Sequence, residues 1–257
     1  MRILVTNDDG LGAPGLQALE SATAGLGRVV VVAPHEERSG AGHAITMHAP
    51  LRLRGHGTDR WSCSGTPVDC VYVALHKLCD SPPGLVVSGI NKGANLGDDV
   101  FYSGTIGAAR EAALNGLQSL AVSLDTTTTK SGGPLQFDAA SAIAVRVIQQ
   151  LLARPVPEGV YLNLNVPNLP LAEIEGIRVC RLGRRHYEPL VEQRTDPRDS
   201  PYYWIGGSPL GELMGEGTDG WWIARGYATL TPLGLDHTQL DYISELEAWP
   251  LSVPTRS

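Results

Sequence analysis

Arg2-Ile3-Leu4-Val5-Thr6-Asn7-Asp8-Asp9-Gly10 stands at the head of the chain, and Val29-Val30-Val31-Val32-Ala33-Pro34 follows it after a short interval. Ile3 to Val5 is an apolar run closed by polar residues, the pattern of a short strand. Pro14-Gly15-Leu16 then opens a segment with Leu16, Leu19 and Ala22 at helical spacing, and Gly25 and Gly27 stop it. The valine run is continuous and β-branched, as in a strand buried on both faces of a parallel sheet. Strand, helix and strand make a βαβ unit, and this unit sets the fold.

The same alternation runs on. Thr66 is a candidate N-cap with Pro67 at the first helical position, and Val68, Val71, Leu75 and Leu78 line one helical face. Leu85-Val86-Val87 is the next strand. A helix is expected from about Ile106 to Asn115, a strand at Leu120-Ala121-Val122, a helix capped by Asp138 and running to about Ala153, and a strand from Tyr161 to Val166. The expected fold is α/β: a doubly wound, mostly parallel, Rossmann-like sheet in three layers. Past Gly176 the pattern breaks into short segments with aromatic clusters at Tyr202-Tyr203-Trp204 and Trp221-Trp222. Residues 1–176 are therefore expected to form the catalytic core. Residues 177–257 would form a small β-rich appendage for oligomerisation, with a helix from Asp236 to Trp249 packing on the core.

Bulk properties bound the partners. The 257 residues, 42% hydrophobic and 18% charged, are those of a globular chain. A net charge of −7 argues against a nucleic-acid polymer, whose binding needs clustered Lys and Arg. Two carboxylates at positions 8 and 9 sit where a signal peptide needs its apolar stretch, and Val29 to Ala33 is too short to span a bilayer. The expectation is a cytoplasmic protein with no membrane partner. Cys63, Cys70, Cys79 and Cys180 show neither a CxxC pair nor zinc-like spacing and read as reduced.

Three polar clusters follow strands, where open α/β sheets bind ligands. In Asn7-Asp8-Asp9-Gly10 two adjacent carboxylates repel each other, and a divalent cation relieves the repulsion. The same residues also form ordinary turns. Glu36-Glu37-Arg38-Ser39-Gly40-Ala41-Gly42-His43 can reach the same crevice, with His43 either a catalyst or a hydrogen-bonded structural histidine. Ser88-Gly89-Ile90-Asn91-Lys92-Gly93-Ala94-Asn95-Leu96-Gly97 is rich in residues that let amides converge on an anion. Tyr102-Ser103-Gly104-Thr105 opens a helix whose N-terminus favours phosphate, the alternative being an N-cap beside a surface loop. Gly10-Leu11-Gly12-Ala13-Pro14-Gly15 also satisfies a dinucleotide motif, but Asp8 and Asp9 beside a pyrophosphate would repel it.

Met1 to Gly10, Arg38-Ser39-Gly40, Ser64-Gly65-Thr66-Pro67-Val68-Asp69-Cys70 and the run from Ser88 to Ala109 together resemble the survival protein E (SurE) family of metal-dependent nucleotidases. The resemblance continues more loosely through Asn163-Leu164-Asn165-Val166-Pro167, Tyr202-Tyr203-Trp204, Gly217-Thr218-Asp219 and Thr231-Pro232-Leu233. It implies one magnesium or manganese ion held by Asp8, Asp9, Ser39 and Asn91, a donor set of oxygens suited to a hard cation. It further implies a phosphate among Asn95, Ser103, Gly104 and Thr105, with Asp8 or Asp9 acting on the attacking water. Nucleoside 5′- and 3′-monophosphates are the implied substrates, short polyphosphate a further one, and a dimer or tetramer the implied assembly. Asp199 departs from the pattern, which has Gly there. A dinucleotide-dependent dehydrogenase and a non-catalytic nucleotide sensor are the alternatives.

Overall fold

The computed structural model describes residues 1–128, 133–185, 187–207 and 215–251. Its strands are β1 (Arg2–Thr6), β2 (Arg28–Pro34), β3 (Leu53–Gly55), β4 (Arg60–Cys63), β5 (Leu85–Lys92), β6 (Ser119–Asp125), β7 (Val160–Pro167), β8 (Ile177–Val179), β9 (Leu190–Thr195), β10 (Pro201–Gly206) and β11 (Ala228–Gly234). Its α-helices are α1 (Pro14–Thr23), α2 (Pro67–Val73), α3 (Gly104–Leu114), α4 (Phe137–Ala153), α5 (Asp219–Ile223) and α6 (Ile243–Glu247). Among the described residues nine strands join one sheet in the order β3-β4-β2-β1-β5-β6-β7-β11-β8, and β9 pairs with β10 alone. From β4 through β7 every neighbouring pair is parallel.

Period-two alternation builds three layers. Ile3 and Val5, Val31 and Ala33, Leu85 and Val87 point to the face covered by α1 and α4. Leu4, Val30, Val32 and Val86 point to the other, against Cys70 and Val71 of α2 and Ala108 and Ala112 of α3. A strand with both faces covered has no water to solvate a charged side chain, and the first carboxylates accordingly appear just after Thr6, where β1 ends. α1 lies so close to β5 that a Cβ on Gly15 would stand 2.0 Å from the Ile90 carbonyl oxygen. This glycine serves helix–sheet packing.

Several expectations change. β3 and β4 are absent from the sequence reading, being short and, in β3, fully exposed. β5 runs on to Lys92, with a register irregularity between Ser88 and Asn91, so half of the glycine-rich cluster is strand. There Gly89 has φ 140°, and a Cβ on it would meet the Val122 carbonyl oxygen at 2.3 Å. Gln136, with no capping side chain, precedes α4, and Asp138 sits in its first turn. The sheet also continues past residue 176, since β11 pairs antiparallel with β7 and carries β8 on its far side. Trp222 is held inside this part of the chain, with the Arg178 guanidinium 4.7 Å from its ring and 4.7 Å from that of Tyr227. The terminal helix is only Ile243–Glu247, and its residues are exposed. It has an apolar residue at too few positions to compete for the core.

Candidate active site

β2 lies on one side of β1 and β5 on the other, so the strand order reverses there and opens a crevice at their carboxyl ends. A cavity of about 320 Å³ occupies it, lined by Asp8, Ser39, Gly40, Asn91, Lys92, Ala94, Asn95, Asp99, Tyr102, Ser103 and Tyr187. Five residues expected from sequence thus share one wall: Asp8, Ser39, Asn91, Asn95 and Ser103.

Asp8 is buried, and its carboxylate accepts hydrogen bonds from the Thr105 hydroxyl and, at 3.2 Å, from the Thr105 N–H. Burial pushes this carboxyl up to about 6, the Thr105 bond opposes that, and the Asp9 charge adds to it. Asp9 is half-buried and accepts from the Lys92 N–H at 3.1 Å. Its carboxyl is also raised, first by burial and further by the charge of Glu37. Asp8 lines the cavity and Asp9, next to it in the chain, does not; both carboxyls are raised, and a cation beside them would favour their charged forms. Asn7 closes the turn by donating from Nδ2 to the Gly10 carbonyl at 3.0 Å, while its Oδ1 is buried without a partner among the described residues. The turn and the acidic pair are one structure.

The Ser39 loop is tied to this pair, because the Arg38 N–H donates to the Asp8 carbonyl at 2.8 Å. Ser39 itself is exposed and donates its hydroxyl to Glu37 at 2.7 Å. His43 lies outside the cavity lining and meets Glu111 of α3 at 2.9 Å, which pins the far end of the same loop. Asn91 donates from Nδ2 to the Gly93 carbonyl at 2.8 Å, leaving its Oδ1 as an oxygen donor atom.

Asn95 is fixed from beneath. Its N–H donates to Asn165 Oδ1 at 2.8 Å, its Nδ2 to Ser123 at 2.7 Å, and its carbonyl accepts from Asn163 and Asn165. These partners stand within β6 and β7, so the sheet itself holds the residue. Ser103 caps α3, its hydroxyl oxygen accepting from the Ile106 N–H at 3.1 Å. Gly104 and Thr105 do not line the cavity. Thr105 serves Asp8, and a Cβ on Gly104 would stand 3.0 Å from the Asp8 Cβ.

Among the described residues no group of three or more His, Cys, Asp or Glu side chains could hold a metal ion. A cation here must take Ser and Asn oxygens beside the two carboxylates, an all-oxygen set that fits magnesium or manganese rather than zinc. Asp99, Tyr102 and Tyr187 went unread in sequence as site residues. Asp99 and Tyr102 follow the glycine-rich cluster closely enough to be found, whereas Tyr187 comes from the irregular part of the chain and carries no local signal. None of Gly10, Gly12 or Gly15 lines the cavity, which faces α3 and not α1.

A family model described as Survival protein SurE matches residues 3–189. The chain belongs to the SurE family. A 5′-nucleotidase SurE of Geobacter metallireducens is 46% identical over 255 residues, covering 99% of this chain and 100% of the relative. One from Pelobacter propionicus is 48% identical over 249 residues, covering 97% and 99%. The crystal structure of the SurE protein from Aquifex aeolicus superposes with a TM-score of 0.84 at 40% identity, covering 96% of this chain and 98% of that one. The three-layer α/β fold with its small antiparallel sheet is thus the SurE fold.

Proposed function

We propose that this chain is a divalent-metal-dependent phosphomonoesterase that hydrolyses nucleoside 5′-monophosphates, and 3′-monophosphates, to nucleoside and phosphate, with short-chain polyphosphate a further substrate. The observation that carries the reading is the single cavity joining Asp8, Ser39 and Asn91 to Asn95 and Ser103. The names of the relatives support the substrate class. The dehydrogenase alternative is not favoured, since its glycines lie outside the cavity, and the Gly15 position is explained by packing.

Asp8, Asp9, Ser39 and Asn91 would hold one magnesium or manganese ion per subunit. Such an ion, when bound, neutralises phosphate oxygens and makes water a stronger acid. Thr105 keeps Asp8 in one orientation, which suits a fixed ligand. Asp9, more accessible and held by one backbone amide, is the carboxylate free to orient the attacking water and take its proton. The Ser103 hydroxyl and the side-chain amide of Asn95 receive the negative phosphoryl oxygens as attack proceeds in line.

The same reading makes the protein a homodimer or homotetramer and places it in the cytoplasm, where its four free cysteines suit a reducing compartment. Its test is a phosphate-release screen over nucleotides and metal ions beside Asp9→Asn. The variant is expected to lose nearly all activity while its far-ultraviolet circular dichroism and Tm stay near wild type. A variant that keeps wild-type turnover, or a wild-type protein that releases no phosphate with manganese, refutes the assignment.

A further inference from the structure

The cavity is lined by two chemically different kinds of residue. Asp8, Asn95 and Ser103 are polar, and Tyr102 and Tyr187 are aromatic. We infer that these rings are the nucleobase platform of the site: the base of a nucleoside monophosphate stacks on Tyr187 and Tyr102 while its phosphate reaches the polar residues. The inference rests on the proposed function and names what selects nucleotides over other phosphate esters.

Both rings are presented, not packed away. Tyr102 is 71% exposed although its backbone is fixed, its N–H donating to the Asp99 carbonyl at 3.0 Å and its carbonyl accepting from the Gly42 N–H at 2.9 Å. A large apolar ring held out on a fixed backbone at a cavity mouth has a face to offer and little freedom to lose on binding. Tyr187 is 44% exposed, and its phenol donates to Asp99 Oδ1 at 2.8 Å. The Arg185 guanidinium lies 5.5 Å from that ring and pairs with the same Asp99 at 2.6 Å. Asp99 therefore aims the Tyr187 ring, and Arg185 braces it.

The arrangement is anchored from outside the cavity as well. Asp219 of α5 accepts from the Gly97 N–H at 2.8 Å and the Gly183 N–H at 2.7 Å, joining the segment that carries Tyr187 to the loop that carries Asp99. A ring brought from a distant part of the chain, oriented by its bond to Asp99 and left partly exposed on the lining of a cavity of about 320 Å³, is suited to stack on a planar base. Any base has a π-face, so the platform selects nucleosides as a class over sugar phosphates.

The test compares AMP with ribose 5-phosphate, which share the phosphate and ribose and differ in the base. Calorimetric titration of the full chain with calcium as the divalent ion should show AMP binding about tenfold or more tightly than ribose 5-phosphate. Tyr187→Ala should remove most of that preference by weakening AMP more than ribose 5-phosphate, and Tyr102→Ala should reduce it. Tyr187→Phe should keep more of it than Tyr187→Ala, because the ring remains while its bond to Asp99 is lost. With manganese, Tyr187→Ala should raise KM for AMP by a larger factor than KM for ribose 5-phosphate, and by a larger factor than it changes kcat. Equal affinity of the wild-type protein for the two ligands overturns the inference. So does a Tyr187→Ala variant with undiminished preference, or one that weakens both ligands alike. Failure of the proposed function looks different: neither ester releases phosphate with manganese, and the binding titration still decides whether the rings hold a base.

Discussion

Thr105 shows how one side chain changes meaning between sequence and structure. At a helix N-terminus after a glycine-rich loop it reads as a phosphate donor, yet both its hydroxyl and its amide serve Asp8. The sequence places Thr105 and Asp8 far apart, so only the approach of α3 to the end of β1 reveals the pairing. A hydroxyl that orients a buried carboxylate acts through that carboxylate's ligand. Orienting groups of this kind typically contribute about 10–100-fold to metal affinity or activity. Thr105→Val keeps the shape of the side chain and deletes the donor. Activity at low manganese is therefore expected to fall about tenfold or more, and much of it should return at saturating manganese. An unchanged manganese dependence would show that Thr105 does not orient Asp8 for this purpose.

Elements were legible where burial is complete and obscure where it is not. β1, β2, α1 and α2 could be read from sequence because both sheet faces are covered, which turns burial into an uninterrupted apolar run or a helical face. Thr66 and Asp69 form the capping box that announces α2. β3 and β8, at the two sheet edges, consist of exposed residues and leave no such pattern. The residues proposed to hold the metal were legible for a related reason: they are polar residues that follow or close apolar strands. Asp199 illustrates what a single departure costs an element. It has φ 60° in the turn between β9 and β10, with its N–H donating to the Asp196 carbonyl at 3.0 Å. The turn that glycine would make is thus made by aspartate, which visits this region more readily than most residues but still under strain. Asp199→Gly should relieve about 0.5–1 kcal/mol after the entropy lost by the extra glycine. The β9 and β10 amides should then exchange with deuterium roughly threefold more slowly. Unchanged or faster exchange there would mean that the turn carries no strain.

At the scale of the whole molecule, the β9–β10 pair is the part that its own chain does not explain. Every residue of both strands is exposed, and a lone two-stranded ribbon is marginal in water. Val191 is 63% exposed, Tyr203 and Trp204 59% each, and Ile205 91%. The register places Ile205 opposite Val191 and Trp204 opposite Glu192, so apolar side chains project from both faces of the ribbon. One covering surface would satisfy only one of those faces, whereas a partner that wraps the ribbon, or exchanges an equal ribbon with it, satisfies both. A second copy of this chain supplies such a partner without any further component. The expectation is that light scattering finds a dimer or tetramer of the 27.4 kDa chain, and that the double variant Trp204→Glu, Ile205→Asp shifts it to the monomer. Because the nine-stranded sheet does not include β9 or β10, the variant's circular dichroism should remain that of a folded α/β chain. A wild-type protein that scatters as a monomer, or a double variant that keeps the wild-type mass, would remove the ribbon from the assembly and leave its exposed aromatic side chains to be explained by some other contact.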